Sequence, residues 1–325
     1  MPEFTTPQII SIVIFIVVFA LIISEKVHRT VAALAGAVVL ILTGILSFDT
    51  GMEHIDFGTL GVLVGMMIFV AVVKNSGIFE YIAIRTAKIA KGNPWVIMVL
   101  FCIITAVLSA FLDNVTTVLL IGPVTFTVCK MLELSPVPFF ITEIMASNIG
   151  GTATLIGDPP NIIIGTSLGY TFFDFIENTG AVVAICFGFM LIYFTLCFRK
   201  ELERAEHANG GPVTCPEPST AITNKKAFLA SAGVFLLAVV LLITHAQTEL
   251  SVACIGVIVA ILTMIVLGLT SGKKSVIEII KGVDYKTLLF FIGLFVSVAG
   301  LEKTGVLNMI ANFITLSLIH ISEPT

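Results

Sequence analysis

Two polar clusters interrupt an otherwise apolar chain, and both are rich in the oxygen atoms that suit a small cation or a proton. The first is Asp113-Asn114-Val115-Thr116-Thr117. The second runs Ser147-Asn148-Ile149-Gly150-Gly151-Thr152-Ala153-Thr154 and continues through Gly157-Asp158-Pro159-Pro160-Asn161. Gly150-Gly151 and Pro159-Pro160 both oppose a regular helix, glycine through its backbone entropy and proline through its missing N–H. A helix interrupted there frees backbone carbonyls beside Ser, Thr and Asn oxygens. Such carbonyls coordinate Na⁺ or a proton carrier, and half-helix N-termini face anionic groups. A surface loop is the alternative, and apolar sequence on both sides speaks against it.

An acid at membrane depth is costly to place and is a functional candidate by default. Asp113 could take up and release a proton there. It could equally cap a helix N-terminus, and the two roles are compatible. Asp158 is weighed in the same way, although its proline neighbours favour a turn-forming role. Other patterns carry less. Gly165-Thr166-Ser167-Leu168-Gly169 matches the spacing of a nucleophile elbow, but that motif needs a strand, a turn, a helix and His and Asp partners. No catalytic constellation emerges, so an enzyme is not expected. Asn114-Val115-Thr116 matches a glycosylation acceptor inside an apolar stretch, where it would be out of reach.

The elements that hold these clusters are expected to be membrane helices. Of 325 residues, 57% are hydrophobic and 12% charged, against about 25% charged in a soluble chain. Mean hydropathy is +1.10. Apolar runs at about 8–24, 31–48, 57–73, 94–112, 118–131, 136–147, 162–173, 181–198, 227–244, 250–269 and 287–301 approach the roughly 20 residues that cross a bilayer. The net charge of −4 argues against a nucleic-acid partner. The six cysteines show no metal spacing, and no cofactor is implied beyond a coupling H⁺ or Na⁺.

Basic residues set the orientation. Lys26 and Arg29 follow the first run, Asp49, Glu53 and Asp56 follow the second, and Lys74, Arg85, Lys88 and Lys91 follow the third. This alternation places the N-terminus outside a plasma (inner) membrane. Gly77–Lys91 reads as an amphipathic helix on the cytoplasmic surface, with a polar extension of the third span as the alternative. Residues 94–131 fit a re-entrant hairpin, because the second arm is short and contains Pro123; two full spans fit the charges equally. Residues 136–173 read as the broken helix, and residues 199–226 as a flexible cytoplasmic linker.

The chain also repeats itself. Residues 55–83 align without gaps to 283–311, with 9 of 29 positions identical, among them Asp56/Asp284, Thr59/Thr287, Gly65/Gly293 and Gly77/Gly305. A weaker match pairs 36–43 with 256–263. The loop before the first copy is acidic, whereas Lys273, Lys274, Lys281 and Lys286 precede or open the second. Equivalent loops on opposite sides mark inverted-topology repeats, a carrier architecture with its site near the midplane. The expected fold is therefore an all-α polytopic membrane protein, with a first repeat at 1–198 and an incomplete second repeat at 227–315.

The pair of motifs resembles the ion-transporter superfamily, in particular its arsenite-permease branch, which also holds NhaD-type Na⁺/H⁺ antiporters and the melanosomal P-protein. The resemblance runs from about residue 10 to 315. It implies that Asp113, Asn114, Thr116 and Thr117 sit at a re-entrant hairpin tip. It likewise implies that Asn148, Gly150, Gly151, Thr152 and Thr154 form the facing unwound segment. In the related dicarboxylate carriers the tip reads Ser-Asn-Thr, and Asp113 stands here in place of that Ser, which favours proton or cation coupling over carboxylate binding. Ser147, Asp158 and Asn161 complete the candidate ion-binding set.

The expected function is secondary active transport of a small inorganic ion or metalloid by alternating access, either arsenite or antimonite efflux or Na⁺/H⁺ exchange. An ion channel on the same scaffold and a citrate- or dicarboxylate-type carrier are the alternatives. The expected partners are the lipid bilayer and the ion itself, with a homodimer and a cytoplasmic ATPase subunit also admitted by the resemblance. Residues 316–325 leave the repeat register and match, codon for codon, the translation of a transposase-type sequencing adapter. They are expected to be a non-native tail, with the second half-site falling beyond them.

Overall fold

The computed structural model describes residues 4–90, 93–208, 217, 222, 224 and 225–313. The expected tail at 316–325 lies outside them. The described residues are helical, in the order α1 (Thr6–Ser24), α2 (Arg29–Leu42), α3 (Phe48–Glu53), α4 (Phe57–Asn75), α5 (Ile78–Ile89), α6 (Pro94–Ser109), α7 (Asn114–Met131), α8 (Val137–Gly151), α9 (Pro159–Leu168), α10 (Phe172–Ala208), α11 (Lys225–Ile243), α12 (His245–Thr248), α13 (Val252–Ser271), α14 (Lys273–Lys281) and α15 (Tyr285–Lys303). Seven helices among the described residues are long and apolar enough to cross a membrane. The chain is an all-α polytopic membrane protein. Without water in a bilayer core, helices satisfy their own backbone groups, which explains this choice for so apolar a chain.

Local sequence sets the helix ends. Asn93 accepts from the amides of Trp95 and Val96, and Pro94 fills the first helical position of α6, where its missing N–H costs nothing. Ser251 accepts from the Cys254 amide to start α13. Outward faces stay apolar. On α10, Val182, Ile185, Phe189, Ile192, Tyr193 and Leu196 are all exposed at helical spacing, the face expected to meet lipid chains.

The chain divides into two compact units, one gathering residues up to Leu60 with those from Asp284, the other comprising Gly61–Val283. In the first, α15 packs along α2, with Leu40, Leu46, Val296 and Ala299 in its core. In the second, Ile97, Met98 and Phe101 of α6, Leu120 and Ile121 of α7 and Phe139 of α8 are fully buried.

The aligned identities of the two copies have the same local geometry. Asp56 accepts from the amide of Thr59 at 3.0 Å and from its hydroxyl. Asp284 accepts from the amide of Thr287 at 3.2 Å and from its hydroxyl at 2.6 Å. Gly77 and Gly305, each following the helix that those caps begin, have φ of 80° and 76°, a conformation open to glycine and costly for other residues. Helix pairing also crosses between the copies. α2 lies against α15 in one unit, and in the other Gly65 of α4 lies against the backbone of Gly256 on α13.

Three expectations change. The second arm of the hairpin is not short: α7 has 18 residues and begins at Asn114, because the polar cluster forms its first turn. Pro123 is accommodated inside it. The helix does not break at Gly150-Gly151; α8 runs through both, and the irregular stretch is 152–158. Residues 199–208 of the expected linker are helical, since α10 continues to Ala208, and most of 209–223 lies outside the described residues. The stretch after Gly77 forms a helix, as expected, and not the alternative extension of α4: α5 buries Phe79, Thr86 and Ala87 and leaves Arg85 and Lys88 exposed.

Candidate functional site

The tip between α6 and α7 meets the junction between α8 and α9. Sequence dictates the tip. Asp113 has extended backbone, and its Oδ1 accepts from the Thr116 amide at 2.9 Å, so it caps α7. Thr117 turns its hydroxyl back to the Asp113 carbonyl at 3.0 Å.

Polar contacts then join the two elements. Asn114 donates from Nδ2 to Oδ1 of Asn148 at 2.7 Å. Ser147 donates to the Asn114 carbonyl at 2.9 Å. Ser109, from the last turn of α6, donates to the Ser147 carbonyl at 2.7 Å. The Thr154 hydroxyl donates to the Ala110 carbonyl. Each neutral contact contributes about 1 kcal/mol net, so their joint effect is to fix geometry.

The glycines permit the approach. A Cβ on Gly150 would collide with the backbone of Ala106 on α6, and one on Gly151 would meet Asp158 Oδ2 at 2.5 Å. The pair was read as a helix breaker, and its role here is close packing. Asn161 braces the irregular stretch, donating from Nδ2 to the carbonyls of Gly151 and Thr154, both at 2.9 Å. Thr152 returns its hydroxyl to the Ile149 carbonyl at 2.8 Å.

The two acids differ. Asp113 is committed to its own helix. Asp158 precedes α9 but makes no cap hydrogen bond to it. Its carboxylate instead faces Gly151, beside the backbone amide of Asn114, the residue that follows Asp113. Two carboxylates, two carboxamides and several hydroxyls and carbonyls therefore gather where the N-termini of α7 and α9 converge. The set is rich in oxygens suited to hard cations.

All the sequence-derived candidates from Asp113 to Thr117 and from Ser147 to Asn161 lie on these elements, with Thr116 contributing through its backbone amide. One buried acid escaped the sequence reading. Glu143 is fully buried on α8, one turn before Ser147. The usable signal was a single carboxylate in the apolar run 136–147.

The chain matches the CitMHS family model, described as a citrate transporter, over residues 19–322. It is 38% identical over 312 residues to an uncharacterized transporter of Mycobacterium bovis, a match covering 95% of this chain and 71% of that protein. It is 37% identical to a 46 kDa membrane protein of Mycobacterium leprae over the same shares. The human P protein is 48% identical over 152 residues, covering 45% of this chain and 18% of that protein.

Proposed function

Because the chain belongs to the CitMHS citrate transporter family and is a membrane transporter, we propose that it is a secondary carrier exchanging Na⁺ for H⁺ at the crossing of the α6–α7 tip with the α8–α9 junction. The observation that carries this reading is the Asn114–Asn148 contact, which brings the tip to the junction where the Asp158 carboxylate faces Gly151 without capping its own helix. A cation and a proton would compete for that carboxylate, which is the minimal requirement for exchange. Asn114, Asn148 and Ser147 would hold the two elements together while either species is bound, and the carbonyls around 152–158 would complete the coordination.

Oxygen ligands favour Na⁺ over arsenite, whose soft chemistry calls for thiolates. Cys102 and Cys129 lie elsewhere, buried within α6 and α7. A second reading, transport of citrate, is favoured by the description of the family and by the two converging helix N-termini, which suit an anion. The deciding experiment expresses the protein from its genomic reading frame, reconstitutes it in vesicles carrying a pH gradient, and adds Na⁺, citrate and arsenite in turn. Collapse of the gradient on adding Na⁺ is expected. Collapse with citrate alone would replace exchange by citrate transport.

A further inference from the structure

Glu143 on α8 is completely buried, away from the tip, and the assigned site does not use it. The Thr125 hydroxyl on α7 lies 2.6 Å from its Oε1, and its Oε2 has no hydrogen-bond partner. The titratable groups facing it are the Cys102 thiol on α6 and the Cys129 thiol on α7. α10 also packs on α8, with its acids confined to its first two turns, where Asp174 is engaged with Thr171, and to the far stretch from Glu201 on. Among the described residues, no Lys, Arg or His acts on the carboxylate. Among the described residues no group of three His, Cys, Asp or Glu could hold a metal ion.

Proton placement decides the form of this acid. Thr125 has one hydroxyl proton and two acceptors in reach, Glu143 Oε1 and the Ile121 carbonyl at 3.3 Å. If Glu143 is ionised, Thr125 must give its only proton to Oε1, leaving a charge with a single hydrogen bond in an apolar core, the costliest arrangement available. If Glu143 is protonated, it donates to Thr125 Oγ1, which then donates to Ile121. Every proton finds an acceptor, and only a neutral carbonyl oxygen stays bare.

The acid also sits where movement would reach it. Ser147, one turn on along the same face, is bonded to Asn114 of the tip. Thr125 belongs to the helix that the tip begins. We propose that Glu143 is a second proton-binding site of the carrier, loaded while α8 lies packed on α6 and α7 and unloaded when that packing opens to water. The proposal rests on the transporter reading above, and the proton is the only species transferred: it leaves the carboxyl for water, and the carboxylate reforms its O–H on return.

The test pairs two readouts. In the purified protein, the infrared carbonyl stretch of a protonated acid, assigned with isotope-labelled glutamate and by its loss in Glu143→Gln, should weaken when Na⁺ is added and when pH is raised. In vesicles, Glu143→Gln should fold, since the amide can replace the carboxyl as donor to Thr125, and should lose the pH-dependent limb of Na⁺-driven flux. If Gln does not fold, Glu143→Asp keeps an acid one methylene shorter, and its flux profile should be displaced along the pH axis. An acid band that stays constant with Na⁺ and with pH, or wild-type pH dependence in either variant, would reduce Glu143 to a permanently neutral structural group. Should Na⁺ elicit no flux in the unsubstituted protein, the exchange reading fails by itself, and the infrared titration against pH still decides for Glu143.

Discussion

Asn114 Nδ2 donates to Asn148 Oδ1 at 2.7 Å, tying the first turn of α7 to the last turn of α8. The two residues belong to different polar clusters, 34 positions apart in sequence. The bond makes the tip and the α8–α9 junction one polar body. Asn114→Ala and Asn148→Ala should each weaken apparent Na⁺ affinity. A double-mutant cycle on thermal stability should return a coupling of about 1 kcal/mol, the scale of a neutral hydrogen bond. Strict additivity would show the contact to be incidental.

Asp158 and Asp113 should separate by role. Asp158→Asn removes the carboxylate that does not cap its own helix and should abolish Na⁺-dependent proton flux while leaving the fold intact. Asp113→Asn keeps a capping oxygen for the Thr116 amide, so it should fold normally and lower flux by weakening the cation site. Asp113→Ala should in addition cost about 1 kcal/mol through the lost cap. Melting curves in detergent read the stability effects, and vesicle flux reads the transport effects. Unchanged flux in Asp158→Asn would remove that residue from the site.

Gly150→Ala should be among the most disruptive small substitutions in the chain. The new methyl would collide with the Ala106 backbone, which cannot swing aside as a side chain would, and α6 and α8 are closely packed along this line. Overpacking of this kind typically costs 1–3 kcal/mol. Gly188→Ala is the control, since a Cβ there meets nothing within 4 Å and alanine favours the helix. Equal melting temperatures for the two variants would refute the close-packing role.

Much of this site was legible because the polar residues stand out against an apolar background. Asp113, Asn114, Ser147 and Asn148 needed only that contrast. Gly150-Gly151 was misread because glycine weakens a helix and also admits a neighbouring backbone, and only the position of Ala106 decides between the two. Glu143 was marked out by the sequence as a lone acid in an apolar run, but its role stayed hidden for a related reason. Its burial depends on α6, α7 and α8 enclosing one face of one helix, and a single acid in an apolar run does not reveal which way that face turns. The apolar run at 118–131 began late because the first turn of α7 is polar, whereas Asp113 as a helix cap marked its true start.

Stability should fall as pH drops through the histidine range, with His245 as a cause. Its Nε2 accepts from the Phe172 amide at 2.7 Å, closing the first turn of α10. Burial holds the imidazole below its usual value of 6.5, against a smaller opposing pull from Asp174. The unfolded chain therefore takes up this proton more readily than the folded one. The contribution of His245 is complete above 6.5 and is lost progressively as pH falls below that value, because the protonated ring can no longer accept. The melting temperature of the wild type should drop over that window more steeply than that of His245→Gln. Parallel curves would exclude His245.

The aligned caps, Asp56 to Thr59 and Asp284 to Thr287, begin helices that end in the same left-handed glycine, so the segments that precede them, α3 and α14, hold equivalent places in the two copies. Their charges are opposite: α3 carries Asp49 and Glu53, and α14 carries Lys273, Lys274 and Lys281. Positive segments stay cytoplasmic, so equivalent segments should lie on opposite sides of the membrane. In a background with all six native cysteines replaced, Asp49→Cys should react with an impermeant maleimide applied to intact cells. Lys274→Cys should react only after permeabilisation. Both positions are helical and exposed, and a permeant maleimide on each variant guards against simple inaccessibility. Reaction of both from the same side would mean that the copies run parallel, and the inverted-repeat reading of the carrier would be lost.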